Sequence, residues 1–321
     1  MSEFAFEVAL CALLERERDE IIARQLGASV HGRRIMDIVC VEPGPDFAKR
    51  VAITPHEIPD AAIESRAGVG QARYYRNCFD MHPDRARSVA ERAIEIGFFE
   101  RVRQGSRLYV RQTARYPDEW FGKLVGIENK PDLAVPGDLE LQLRKDVSLG
   151  VFDEVILATE SYVTGAHLNR IPDEVGVWRF RPETGGLEVV REPTALDPAA
   201  SGVDIVDEYA GRTDMRVATA AEKARLRRRM AERAYGKGWR SFDLPPCVHG
   251  AAKTVSGADG IPYCEWKESV VNPAEECGPA CPGYEPADPP EIDIEAVRDR
   301  RTPWVANPKG PRTQSGLDRF L

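Results

Sequence analysis

Two strand-like runs of apolar residues carry acidic side chains, and this feature constrains the fold more than any other. The first run covers residues 35–41 and contains Asp37, and the second covers residues 124–127 and is followed directly by Glu128. Residues two apart on a strand point to the same face, so Glu128 and Lys130 are expected to converge. If the two runs pair in one sheet, Asp37 lies beside them.

These residue types suit the hydrolysis of phosphodiesters. Two carboxylates form a hard-oxygen site for Mg²⁺ or Mn²⁺, and an adjacent ammonium can hold an attacking water and offset charge on a phosphate. The tripeptide Glu128-Asn129-Lys130 has little weight by itself, because Glu265-Trp266-Lys267 has the same form in a Cys- and Pro-rich stretch. A solvated Glu/Lys pair is the alternative interpretation.

The residues that follow Lys130 favour the first interpretation. A Pro- and Gly-containing turn leads to an amphipathic segment at 138–149, and an apolar run at 151–158 comes next. Strand, turn, helix and strand in this order form a plausible α/β unit.

This order of residues resembles the PD-(D/E)xK nuclease superfamily, and the resemblance covers residue 1 to about residue 166 apart from one inserted segment. In that superfamily an N-terminal helix with an acidic residue precedes a strand bearing Asp, a strand bearing E-x-K and a helix that often carries Gln. The matching positions here are Glu7 in the segment 4–17, Asp37, Glu128 with Lys130, and Gln142. Met36 stands where the superfamily usually has Pro, and about ninety residues separate the two strands.

The resemblance implies a restriction-endonuclease-like mixed sheet flanked by helices. It also implies that Asp37 and Glu128 bind Mg²⁺ or Mn²⁺, with the Asn129 carbonyl as a further ligand. By the same resemblance, Lys130 positions the water and Gln142 supports the site, while Glu7 is the acidic residue of the first helix. The core would comprise residues 1–50 and 117–218, and the runs near 175–180 and 187–190 would complete the sheet edge.

Residues 51–116 are expected to form the insertion. Helices are predicted at 58–66 and 84–96, and a hairpin at 98–103 and 106–111. Two helices and a two-stranded wing resemble a winged-helix module. Arginines that can meet phosphates crowd this stretch between tyrosines that can stack on bases, and the predicted DNA contacts are Arg73, Arg76, Arg103 and Arg107. The alternative is a solvated Arg face.

Residues 219–290 are expected to hold a basic helix and a Cys-rich region. A capping box at Thr219 and Glu222 predicts a helix that reaches about Tyr235. Its arginines, among them Arg227 and Arg228, are candidate contacts to the DNA backbone, although helices also carry basic faces for solubility.

Four of the seven cysteines form a group within thirty-five residues, and the other three lie in or near apolar patterns. Four thiolates can bind Zn²⁺ or hold a [4Fe–4S] cluster. Some nucleases of the resembled superfamily carry a four-Cys cluster with one ligand ahead of the core, whereas all four here follow it, which favours zinc. His249 could replace one ligand, and unrelated loop thiols are the alternative. The predicted ligands are Cys247, Cys264, Cys277 and Cys281.

The last eight residues, 314–321, resemble the sliding-clamp-binding peptide of replication and repair proteins, which has the form Gln-x-x-aliphatic-x-x-aromatic-apolar. In a single tight turn, positions three apart nearly eclipse, so Leu317 and Phe320 would form one apolar plug beside Leu321. The peptide ends a tail, 291–321, that is suited to a flexible tether. A tail that folds back onto its own domain is the alternative. The matching positions are Gln314, Leu317, Phe320 and Leu321.

Charge and hydropathy limit the function classes. The net charge of −8 argues against a chain-wide basic binder, so DNA contact would depend on local patches. No apolar run approaches a membrane span and no signal peptide is apparent, so a cytoplasmic location is expected.

The sequence therefore predicts a metal-dependent DNA nuclease tethered to the sliding clamp, acting in replication or repair. A non-catalytic DNA-binding adaptor and a winged-helix regulator with a structural metal are the alternatives.

Overall fold

The computed structural model describes residues 1–135 and 137–299. The predicted clamp-binding peptide at 314–321 lies outside the described residues.

Helices and strands alternate along most of the chain. The helices are α1 (Glu3–Glu17), α2 (Phe47–Val51), α3 (Asp60–Ile63), α4 (Pro83–Glu95), α5 (Leu139–Leu149), α6 (Gly165–Leu168), α7 (Ala220–Lys237), α8 (Pro273–Glu276) and α9 (Ile294–Asp299). The first nine strands are β1 (Ile21–Gly27), β2 (Ile35–Pro43), β3 (Arg73–Tyr74), β4 (Phe99–Gln104), β5 (Arg107–Gln112), β6 (Phe121–Asn129), β7 (Glu154–Thr159), β8 (Gly176–Arg181) and β9 (Gly186–Arg191). The remaining strands are β10 (Gly202–Tyr209), β11 (Arg212–Ala218), β12 (Gly250–Val255), β13 (Ala258–Cys264) and β14 (Ser269–Val270).

A six-stranded sheet with the order β1-β2-β6-β7-β8-β9 forms the centre of the molecule. The pairs β6-β7 and β7-β8 are parallel, and the other neighbours are antiparallel. The prediction of an α/β fold with a mixed sheet flanked by helices is confirmed. The runs near 175–180 and 187–190 do complete one edge, as β8 and β9.

Both faces of the sheet are buried, which explains why its central strands are nearly continuous apolar runs. Helix α1 covers one face, where Phe6 and Leu10 pack with Ile38 and Ile127. Helices α5 and α7 cover the other face, where Leu143 and Leu226 belong to the same apolar cluster as Val39, Leu124 and Leu157.

The segment between β2 and β6 forms a smaller unit with a three-stranded sheet of order β3-β5-β4. The hairpin of β4 and β5 was predicted and is confirmed. The helix predicted at 58–66 is wrong in length, because α3 covers only Asp60–Ile63. The Arg66 N–H donates to the Cys78 carbonyl at 2.9 Å, which takes the chain out of the helix. The resemblance to a winged-helix module stays a prediction.

The chain after β9 adds a two-stranded ribbon, β10-β11, and a second three-stranded sheet of order β12-β13-β14. Helix α7 lies between them and begins at the predicted capping box, in which Thr219 and Glu222 bond reciprocally. The sheet β12-β14 occupies a Cys-rich stretch with almost no periodic apolar pattern. Within the described residues, no helix is long and apolar enough to cross a bilayer.

Candidate functional site

Three of the predicted acidic residues come from three elements that meet near the ends of β2 and β6. Glu7 lies on α1, Asp37 on β2 and Glu128 on β6. The antiparallel register pairs Ile38 with Ile127, which places Asp37 and Glu128 on neighbouring strands one step further along. The pairing expected from the two apolar runs is therefore present.

Asn129 connects Asp37 to Glu7. Its backbone N–H and its Nδ2 each donate to Asp37 Oδ2 at 2.9 Å, and Nδ2 also donates to Glu7 Oε2 at 3.1 Å. Gln25 has a φ of 53°, and its side-chain amide donates to both Glu7 (3.2 Å) and Asp37 (3.3 Å). Such a left-handed backbone is uncommon for a residue other than glycine.

Two arginines and a fourth carboxylate complete the group. Arg24 pairs with Glu7. The Arg34 guanidinium donates to Glu128 Oε2 at 2.5 Å and to Asp146 on α5 at 2.8 and 3.0 Å. We call Glu7, Asp37, Glu128 and Asp146 the acidic cluster. Sequence reasoning missed Asp146, although it lies four residues after Gln142 and so shares one face of α5.

Burial changes the protonation of this cluster. Burial, together with the nearby Asp37 carboxylate, raises the pKa of Glu128 to about 8. Burial raises the pKa of Asp146 to about 6, although Arg34 opposes the change. The pKa values of Glu7 and Asp37 are raised by burial as well. Four carboxyl groups beside two guanidinium groups favour the uptake of protons or of a further cation.

Lys130 and Glu128 have different partners in the described structure. The Lys130 Nζ atom pairs with Glu3 Oε1 at 2.6 Å, whereas Glu128 pairs with Arg34. The convergence of Lys130 with Glu128 stays a prediction.

A cleft of about 520 Å³ opens beside Asp37. Its walls come from the loop between β1 and β2, from α5 and from β10. Residues of these walls include Arg33, Arg34, Gln142, Lys145 and Ile205. The cleft gives a ligand access to the acidic cluster, and it brings Gln142 to the same opening as Asp37.

Across residues 1–135 and 137–299, no three or more His, Cys, Asp or Glu side chains form a group that could hold a metal ion as they stand. The acids of the cluster are bonded to arginines and amides instead. The donor types still fit Mg²⁺ or Mn²⁺, which prefer carboxylate and carbonyl oxygens. The Oδ1 atom of Asn129 is buried without a hydrogen-bond partner in the described structure, and it lies within this donor set.

Comparison with known proteins identifies the family. Residues 21–286 match a family of unknown function, DUF5787. The chain belongs to this family. No curated protein matches the chain, and neither does any solved structure.

The span matched by DUF5787 contains Asp37, Glu128, Lys130 and Gln142, while Glu7 precedes it and the tail peptide follows it. It also contains all four clustered cysteines.

The four cysteines of the DUF5787 span come together around the sheet β12-β14. Cys264 ends β13, Cys277 follows α8, and Cys247 accepts an N–H bond from Glu285 at 3.4 Å. Burial raises the pKa of Cys277, and the thiols of Cys264, Cys247 and Cys281 raise it further. Within the described residues these thiols do not form a group that could hold a metal as they stand, and a metal at the four cysteines stays a prediction.

The predicted DNA-binding arginines fall into two groups. Arg73, Arg76, Arg103 and Arg107 are exposed on the smaller unit, and Arg107 lies 5.7 Å from the ring centroid of Tyr74.

The two arginines of α7 have partners within the protein. Arg227 pairs with Asp153 at 2.8 Å, and Arg228 pairs with Asp60 and Glu64 at 2.9 and 2.7 Å. A DNA contact by Arg227 or Arg228 would compete with these ion pairs.

Proposed function

We propose that this protein is a divalent-metal-dependent deoxyribonuclease of the PD-(D/E)xK type that acts in DNA replication or repair. The observation that carries the proposal is the placement of Asp37 and Glu128 on adjacent strands, with Asp37 lining an open cleft. Glu7 and Asp37 share the Asn129 amide, so the three acids belong to one constellation.

The order of elements supports this proposal. An acidic helix, α1, precedes the antiparallel strands β1, β2 and β6, and α5 and the parallel strand β7 follow. Asp37, the Glu128 tripeptide and Gln142 occupy the positions in this order that the resemblance implies. The restriction-endonuclease-like fold is therefore part of the proposal.

Asp37 and Glu128 would hold Mg²⁺ or Mn²⁺, with the Asn129 carbonyl as a further ligand. The metal would supply Lewis-acid stabilisation of the charge on the phosphate. Lys130 would orient the attacking water once it leaves Glu3, and Gln142 would support the substrate at the cleft wall. The exposed arginines of the smaller unit would contact the DNA backbone, which is a sequence-independent interaction.

Two further parts of the proposal lie away from the cleft. The four cysteines 247, 264, 277 and 281 would hold zinc, or alternatively a [4Fe–4S] cluster. The C-terminal peptide 314–321 would bind the sliding clamp.

A non-catalytic DNA-binding adaptor is the second candidate. The pairing of Lys130 with Glu3 favours it, because an ammonium that pairs with Glu3 has one donor fewer for an attacking water.

Cleavage of single-stranded, flapped, branched and duplex DNA with Mg²⁺ or Mn²⁺ tests the two candidates. Asp37→Asn and Glu128→Gln should each reduce cleavage by roughly 100-fold or more, because each removes a metal ligand. Glu265→Gln is the matched control, since it lies in a tripeptide of the same form outside the site. Cleavage that survives both Asp37→Asn and Glu128→Gln would contradict the nuclease site. DNA binding without cleavage of any substrate would favour the adaptor.

A further inference from the structure

The Arg34 side chain contacts two carboxyl groups of the acidic cluster. Its side chain is 9% exposed, and its guanidinium bridges Glu128 Oε2 and both carboxylate oxygens of Asp146. It also belongs to the wall of the cleft. Arg34 therefore contacts the proposed metal ligand Glu128 and the α5 residue Asp146, and it also lines the cleft that would admit the substrate.

The guanidinium donates to the neighbouring Ile35 carbonyl, and the backbone that carries Arg34 has further hydrogen bonds that do not involve this guanidinium. Asp204 of β10 accepts the N–H groups of Val30 and His31 at 2.9 and 2.6 Å. The Ala28 N–H donates to the Arg34 carbonyl at 2.8 Å, and the Arg34 N–H donates to Ser29 Oγ at 3.2 Å. The loop can therefore keep its conformation while the Arg34 side chain rotates about its own bonds.

Arg34 and a metal ion cannot both use Glu128 fully. A divalent cation held by Asp37 and Glu128 would share the carboxylate that Arg34 now bonds, and two cations at such short range in a buried site repel strongly. A guanidinium that leaves Glu128 can turn into the cleft, where its planar donors suit a phosphate group.

We propose that Arg34 is a displaceable counter-cation of the metal site and, once displaced, a phosphate-binding residue. Its guanidinium occupies Glu128 Oε2 and pairs with the Asp146 carboxylate, and metal binding at Glu128 would release it towards the phosphate of the bound DNA. Asp146 is then a positioning residue that keeps Arg34 near the site. This inference rests on the proposed function.

Mn²⁺ titration by calorimetry, without DNA, tests the first part of this proposal. Arg34→Met removes the competing charge and keeps an apolar stem, so it should bind Mn²⁺ about tenfold more tightly than the wild type. Arg33→Met is the matched control, because Arg33 lines the same cleft and its affinity for Mn²⁺ should equal that of the wild type. If Arg34→Met fails to fold, Arg34→Lys, which lacks the forked donors, should give an intermediate increase.

The second part predicts a kinetic signature at saturating Mn²⁺. Arg34→Met should raise KM for DNA more than it lowers kcat, because it removes a contact to the bound phosphate. Equal Mn²⁺ affinity in wild type and Arg34→Met, with binding lost in Glu128→Gln, would overturn the role of Arg34 and leave the nuclease proposal intact. A lack of Mn²⁺ binding in both wild type and Arg34→Met would overturn the proposed metal site itself.

Discussion

Glu128 is buried beside the negative charge of Asp37, and both raise its pKa. The stability of the protein should therefore depend on the protonation of Glu128. Its pKa is raised to about 8, far above that of the same group in an unfolded chain. The folded state therefore keeps a proton that the unfolded state has released. The resulting stabilisation is fully present below the unfolded pKa and is lost as the pH rises through about 8.

In EDTA, the melting temperature should accordingly fall by roughly 5 °C between pH 5 and pH 9. Asp146, whose pKa is about 6, should contribute to the acidic half of this change. In Glu128→Gln the melting temperature should change less with pH above pH 6, since the amide does not titrate. Glu265→Gln replaces an exposed carboxylate and should keep the wild-type slope. An unchanged slope in Glu128→Gln would contradict the assignment.

At the residue scale, the sequence identifies carboxylates that lie within strand patterns and misses partners that are distant along the chain. Asp37 and Glu128 were predicted because each adjoins an apolar run. Arg34 pairs with Asp146 across 112 residues of chain, and no local pattern marks either one as part of a site. The partner of Lys130 was missed for the same reason, because Glu3 lies 127 residues away.

At the scale of elements, α7 anchors the smaller unit as well as carrying basic side chains. Glu232 of α7 is 1% exposed and accepts bonds from Arg50 (2.6 and 2.7 Å), Tyr116 (2.8 Å) and the Ile58 N–H (2.8 Å). These donors lie between β2 and β6 in the sequence. The Glu232 carboxylate therefore connects the inserted segment to α7, the helix that packs on the main sheet.

Glu232→Ala should lower the free energy of unfolding by about 3–5 kcal/mol, because it leaves the buried Arg50 guanidinium without its counter-charge. Urea denaturation monitored by Trp fluorescence measures this loss. Arg229→Ala, at a position with an exposed side chain on the same helix, should change stability by less than about 0.5 kcal/mol. Similar losses in both variants would show that α7 does not depend on the buried carboxylate.

Long elements with a strong apolar signal were predictable, and short or polar ones were not. Helices α5 and α7 are amphipathic, whereas α1, β2 and β6 contain continuous apolar runs that are buried. Strand β1 was missed, because Arg24 interrupts its apolar run and becomes a buried residue only through its pairing with Glu7. Strand β3 has two residues, too few to show a period of two.

At the scale of the whole molecule, the four clustered cysteines offer a test that is independent of the cleft. Purified protein should contain one zinc per chain, and Cys277→Ser should reduce the zinc content and the stability of the sheet β12-β14. Cys78→Ser, in the smaller unit, should keep the zinc. Visible absorbance in anaerobically purified protein would identify the [4Fe–4S] alternative, and protein without either metal would contradict the site.

The negative net charge of the chain explains why a clamp-binding peptide would be useful. A chain of net charge −8 is repelled by DNA at long range, so local arginine patches alone give weak, salt-sensitive binding. If the peptide 314–321 binds a ring on DNA, it would raise the effective concentration of the proposed nuclease without any new contact to DNA. Clamp-dependent stimulation of cleavage should therefore increase as salt weakens direct binding.

Phe320→Ala should abolish this stimulation, because it removes one of the two side chains of the predicted apolar plug, and it should leave clamp-independent cleavage at low salt unchanged. Asp318→Ala is the matched control, since the peptide pattern leaves that position free. Direct titration of the full chain against a clamp separates binding from cleavage. Equal clamp affinity in the Phe320→Ala and wild-type chains would mean that the tail does not act through this plug.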